Sequence, residues 1–312
     1  MTVLTMPAQP AAQDTPALRP LPWHRMAWVT WRQHRATLIS VAAVFAALAT
    51  FLLIAGADIH HNYAVLLACH DGCGALNAHF NETDWHLANG VNIMMDGGVA
   101  FIGAFVGAPL LAREIETGTY RYAWTQAFGR ERWTIAKLVL LGTTIAVLAW
   151  ALSQVFDWFF QPMVPQEDMT ILTATVFDTH GIVFAFWALA AFTIGAFAGM
   201  LVRRIVPAMA ITLVAYLALS LVAWDLRKYY PVAMVASIPN TPSTTTGTSG
   251  PIPFSMNAPW VLNTWNSGTT NWEKYIPVSR FWPMQLIESG WLLVLSAALV
   301  AATAWLVHRR AV

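Results

Sequence analysis

Charge is scarce in this chain. Only 11% of its 312 residues are Asp, Glu, Lys or Arg, against 57% hydrophobic, whereas soluble domains carry about 25% charged residues. That deficit excludes an ordinary soluble globule. Basic residues are missing altogether between Arg35 and Arg113, and again between Lys137 and Arg203. There are 2 cysteines, Cys69 and Cys73, too few for a fold built on disulfides. No G-x-x-x-x-G-K-[ST] occurs and no Gly is followed by Lys, so the chain cannot cradle nucleotide phosphates itself. Neither a G-x-S-x-G elbow nor an H-E-x-x-H helix is present, which leaves hydrolytic chemistry unsupported. A net charge of +1 offers nucleic acid no concentrated basic face, so no nucleic-acid partner is expected.

What is present is long apolar segments. A helix needs roughly 20 apolar residues to cross the hydrocarbon of a bilayer. Segments at about 36–57, 91–112, 138–156, 180–202, 205–224 and 286–307 meet that length. The polar stretches at 25–35, 113–137, 203–204 and 308–310 hold most of the Lys and Arg. Basic side chains near the ends of spans stay on the cytoplasmic side. The expected fold is therefore an all-α membrane protein of six transmembrane helices with both termini cytoplasmic. Residues 1–22, rich in Pro, Ala and Gln and lacking an apolar core, read as a disordered cytoplasmic tail rather than a secretory signal. Residues 23–312 form the membrane domain, with outer loops at 58–90 and 225–285.

Two inner segments carry the functional signals. In Trp23–Arg35 the charged residues Arg25, Arg32 and Arg35 share one side of a helix with Trp28, and Trp23 and Trp31 add aromatic bulk. Such a helix is expected to lie in the membrane interface on the cytoplasmic side, before span one. A flank that merely orients span one is the alternative. The segment 113–137 is too polar to span and too long for a tight turn. It mixes Arg113, Glu114, Glu116, Arg121, Arg130, Arg132 and Lys137 with Trp124, Tyr120 and Trp133. Gly118 and Gly129 bracket Thr119–Phe128, which includes Gln126 and reads as a short helix. Mixed charge with embedded aromatics suits a protein-docking surface. A solvated loop with aromatics at the headgroups is the alternative.

The outer loops suggest less. Five His residues accompany Cys69 and Cys73 in the first of them, but their spacing is irregular for a zinc site. A disulfide between Cys69 and Cys73 is the preferred expectation over a metal, and no metal site is assigned. The TPSTTTGTSGP run at 241–251 reads as a flexible surface loop. Within the spans, GAFVG at 103–107 and GAFAG at 195–199 are small-xxx-small runs that let helix backbones approach closely. Asp96, Asp178, His180 and Glu288 fall near the outer ends of spans and read as interfacial. Without repeated mid-membrane carboxylates, coupling to an ion gradient has no support.

Four stretches together resemble the permease subunits of ABC-2 type exporters (the type V exporter group), in particular an actinobacterial set. They are MAWVTWRQHR at 26–35, GAPLLAREIETGTYRYAWTQAFGRERWTIAKL at 107–138, FDTHGIVFAFWALAAFTIGAFAGMLVRRIVPAMA at 177–210 and PVSRFWPMQLIESG at 277–290. The resemblance implies an interfacial helix at Trp23–Arg35 and a coupling helix between spans two and three, within Arg113–Lys137. It implies a paired membrane domain, from a second copy or a paralogue, on two P-loop ATPase subunits that bind ATP and Mg. This chain itself would hold no cofactor and catalyse nothing. The path between protomers would be lined by positions such as Asn92, Met94, Met95, Thr212 and Tyr216. The implied location is the bacterial plasma membrane. Two other readings stay open: a membrane sensor with ligand-binding outer loops, and a metal- or redox-active membrane enzyme.

The charge pattern makes a direct prediction. With Cys69 and Cys73 replaced by Ser, a single cysteine at Gly118 should react with a membrane-impermeant maleimide in inverted vesicles and not in whole cells. Labelling from outside the cell would reverse the whole topology.

Overall fold

The computed structural model describes residues 23–118, 130–163, 172, 174–230, 233–239, 260–267 and 270–309. The expected tail at 1–22 and the expected coupling positions Thr119, Arg121, Trp124 and Gln126 lie outside these residues. Helix α1 (Trp23–Ala68) is followed by α2 (Gly74–His79), a π turn at Phe80–Asp84, and α3 (Trp85–Ile102). A second π turn at Gly103–Gly107 leads into α4 (Ala108–Glu116). Then come α5 (Arg130–Phe160), the one-turn α6 (Ala174–Phe177), α7 (Val183–Val202) and α8 (Ile205–Arg227). Strands β1 (Met234–Pro239), β2 (Trp260–Ser267) and β3 (Thr270–Ile276) precede α9 (Phe281–Arg309). Among the described residues, six helical segments are long and apolar enough to cross a membrane: α1, the α2–α4 run, α5, α7, α8 and α9.

Three features depart from the sequence reading. Helix α1 runs unbroken for 46 residues, so Trp23–Arg35 is continuous with span one and not a separate helix. No Pro or Gly occurs between Trp23 and Ala55 to bend it. The outer loop expected at 58–90 is mostly helical. α1 continues to Ala68, and a corner closed by the Cys69–Cys73 disulfide turns the chain into α2. Part of the second outer loop is a three-stranded antiparallel sheet of order β1-β3-β2. Val, Ile, Thr, Tyr and Trp, which suit a pleated surface, recur in these strands.

Helix α7 is the centre. It is apolar on all sides and largely buried, and α3–α4, α5, α8 and α9 pack around it. Helix α1 lies outside, mainly against α5. The contact between the α3–α4 run and α7 is backbone on backbone. A Cβ built on Gly195 would come 2.1 Å from the Gly103 carbonyl oxygen, and one on Gly103 would come 2.4 Å from that of Ala191. One on Gly199 would come 2.3 Å from the Ala108 carbonyl oxygen. The two GAF-x-G runs are thus partners of each other. Each lends the other the space that side chains would fill.

The basic stretches gather at one end of the bundle. There Lys137 meets Glu114, His308 Nδ1 lies 2.6 Å from Glu131 Oε1, and the α7–α8 turn at Arg203–Arg204 meets Glu116. The disulfide corner, the sheet and the Asp178 segment lie at the opposite end. Sequence position and spatial position agree on this partition, which is what alternate crossing requires.

Gly195→Val and Gly97→Ala form a contrasting pair. The first inserts atoms against backbone that cannot recede, and overpacking of this kind costs about 1–3 kcal/mol or more. The second adds a methyl where nothing stands within 4 Å. Thermal denaturation in detergent should show a large loss for the first and little change for the second.

Candidate functional site

Two buried polar centres stand at opposite ends of the bundle. At the basic end, the C-terminal turn of α4 carries Glu114 and Glu116. Lys137, on α5, is fully buried and donates to Glu114, and its ammonium sits 4.6 Å from the centre of the Trp133 ring. Glu116 Oε2 accepts the Ile205 backbone N–H at 3.2 Å. That carboxylate faces the first turn of α8, where a helix dipole favours negative charge. Both glutamates expected to couple thus tie the base of the 113–137 segment, one to span three and one to span five. Arg113 and Arg132 are exposed, Arg130 opens α5, and Gly118 turns the chain at a φ of +72°. On α1, Trp28, Trp31, Arg32 and Arg35 are exposed, with the Arg32 guanidinium 5.6 Å from the Trp28 ring; Trp23 and Arg25 sit in its first turn.

At the opposite end, Asp178 and Glu288 do not stand alone. They join Arg227 in a buried ion triad. Arg227 holds Glu288 with two bonds, Nε to Oε2 at 3.0 Å and Nη2 to Oε1 at 2.7 Å. Nη2 also donates to Asp178 Oδ1 at 2.5 Å. Trp187 Nε1 lies 3.0 Å from both Asp178 Oδ1 and Glu288 Oε1. The guanidinium rests 4.6 Å from the Phe177 ring centre, and Trp291 packs edge-on to Trp187. Trp291 Nε1 donates to the Tyr230 hydroxyl at 2.9 Å. Burial raises the Tyr230 phenol above its usual range and keeps it a neutral hydroxyl.

The triad belongs to a larger clasp around the segment 177–183. Gln285 Oε1 accepts the Val183 N–H at 2.9 Å, and Gln285 Nε2 donates to the His180 carbonyl at 3.1 Å. Thr179 Oγ1 donates to Asn92 Oδ1 at 2.7 Å, and Ser153 Oγ to the Gly181 carbonyl at 2.8 Å. Spans two, three, five and six therefore all grip the entry to span four. Sequence reasoning missed Arg227 and Gln285. The available signal was Arg227 itself, a basic residue at the outer end of span five, where the charge rule leaves it needing a partner.

The expected path residues divide. Asn92, Thr212 and Tyr216 are buried among α3, α7 and α8, with Tyr216 packed edge-on to Trp187. Met94 and Met95 instead border a cavity between α1 and α3, with Met94 exposed.

The model of a family described as ABC-2 membrane transporter related matches residues 42–227. This chain belongs to that family. The match runs from span one to Arg227 and so takes in the glycine crossing, Glu114, Lys137 and Asp178, while Glu288 lies beyond it. No curated protein and no solved structure matches the chain. The ABC-2 related chain is thus a multi-pass membrane component of a transporter, of a kind that generally works with ATP-binding subunits.

Breaking the triad from one side should be costly. Arg227→Met strands two buried carboxylates, and losing one partner of a buried ion pair costs about 3–5 kcal/mol. Adding Asp178→Leu and Glu288→Met to that variant removes the stranded charges and should recover most of the loss in denaturant unfolding. A single variant as stable as wild type would show that the charges do not depend on each other.

Proposed function

We propose that this chain is the permease of an ATP-driven exporter in the bacterial plasma membrane. Two permeases, as copies or paralogues, form the path, and two P-loop ATPase subunits supply ATP and Mg. The chain contributes no nucleotide site and no catalysis. Its 113–137 segment is the contact that receives the ATPase stroke. One observation carries the assignment of the coupling role. The base of that segment is tied by buried or capping carboxylates to two different spans, through Glu114 to Lys137 and through Glu116 to Ile205. A loop that only joined two helices would have no use for a buried lysine held by a carboxylate, since desolvating that pair costs several kcal/mol.

The geometry supports one mechanism. A push on the segment cannot be absorbed at its root, because α4, α5 and the start of α8 are held together there. The displacement passes to the spans as rigid units, and the switching element is the packing of one membrane domain on the other. The outer clasp keeps the entry of α7 in register with spans two, three, five and six while this happens.

Three charge reversals test the reading: Glu114→Lys, Glu116→Lys and Arg121→Glu. Each should leave membrane insertion intact while lowering permease-dependent stimulation of the partner ATPase, by roughly 5- to 150-fold if ordinary site-to-site coupling is lost. The swap Glu114→Lys with Lys137→Glu should restore stimulation. Affinity purification of the permease should bring down a protein with G-x-x-x-x-G-K-[ST]. Full stimulation in all three variants, or a partner without that motif, would remove the coupling role.

A further inference from the structure

A cavity of about 390 Å³ lies between α1 and α3. It exists because α1 leans on α5 and leaves a wedge toward span two, where Gly98 presents no side chain. A Cβ built on Gly98 meets nothing within 4 Å, so the space is open at that wall. Leu152 of α5 and Phe184 of α7, both nearly fully buried, form the floor. Val44, Phe101 and Phe105 line the cavity and are more than half exposed, which places them at its mouth. Ser40 is the one hydroxyl-bearing residue in an otherwise apolar lining.

The occupant follows from depth, shape and chemistry. The lining lies within segments long and apolar enough to cross a membrane, so an opening on their outer surface at that depth faces bilayer hydrocarbon. From Ser40 to Leu48 the α1 wall extends about 12 Å, and from Met94 to Phe105 the facing wall extends about 17 Å, at 1.5 Å per residue. That is a slot along the helices, which suits an extended chain better than a compact ring. Apolar cavities stay dry and take apolar guests, and a lining without partner atoms forfeits its dispersion contacts. We propose that the cavity is a lipid site holding one acyl chain of a bilayer phospholipid between spans one and two.

Photolabelling tests this on the full chain. The protein is reconstituted in vesicles of phosphatidylethanolamine and phosphatidylglycerol that carry a diazirine at mid-chain, with no other lipid present. After irradiation, peptide mapping should find adducts on the floor residues Leu152 and Phe184 as well as on outward-facing Val139 and Val294. Gly98→Phe fills the slot and should abolish the floor adducts while leaving the outward ones; Gly98→Leu repeats the test with a smaller side chain. Adducts confined to outward-facing positions in the wild type, or floor adducts that persist in both filled variants, would overturn the proposal. Neither result bears on ATPase coupling, which the charge reversals read separately.

Discussion

The close contact between two glycine-containing helix faces sets the positions of the other elements. In a bilayer there is no hydrophobic drive pulling helices together, because lipid is as apolar as leucine, so association depends on packing and on interhelical hydrogen bonds. Here the packing reaches its limit. Gly103, Gly107, Gly195 and Gly199 bring the backbones of the α3–α4 run and α7 so close that none of them has space for even a methyl group. The π turn at Gly103–Gly107 falls at this crossing, where an extra residue locally widens the helix. Thr212 of α8 is drawn in as well, with its methyl 2.9 Å from where a Gly103 Cβ would stand. Once α7 is fixed against span two at mid-depth, the polar groups above and below the crossing have defined neighbours.

Those polar groups serve different ends. Arg227 answers two carboxylates, which also accept the Trp187 indole N–H, and its guanidinium lies over the Phe177 ring. Lys137 answers one carboxylate at the root of a polar segment. Buried ion pairs add little net stability over an apolar packing of the same shape, but losing one partner is severe. Their value lies in what they forbid. The triad does not allow α8, α9 and the entry of α7 to slide past each other. The lysine does not allow the roots of α4 and α5 to separate. Surface pairs such as His308 with Glu131 lack that force, since solvent screens them.

Six spans and their two-ended charge arrangement were legible in the sequence because length and basic-residue gaps depend on the bilayer alone. The glycine runs were visible too, though not that they face each other, since periodicity shows a face without naming its partner. Arg227 was missed for an instructive reason. The rule that puts basic residues inside treats each one as free, whereas Arg227 is neutralised by Asp178 and Glu288, which lie 49 and 61 positions away. Asp178 and Glu288 read as separate groups by the same logic, because each was weighed without the others. The end of the first helix was misplaced because a charge cluster at Arg35 marks a change of solvent, not a change of backbone. The sheet went unseen because its strands are short and separated by residues that read as loop.

The uneven packing of span one has a mechanical consequence. Helix α1 is tied to α5 along its length, including the His60 ring stacked on Trp158 at 4.6 Å, while its side toward α3 faces a void. Spans two, three, four, five and six are joined to one another by glycine contacts, the ion triad and the Glu114–Lys137 pair. Within the protomer the weakest joint is therefore the one between α1 and α3. On the proposed coupling role, a force applied at the 113–137 segment would move the clasped spans together, and relative displacement would collect where no backbone contact or ion pair resists it. Whatever fills that joint sets how stiff it is, because a filled slot transmits compression through dispersion contacts and an unfilled one collapses.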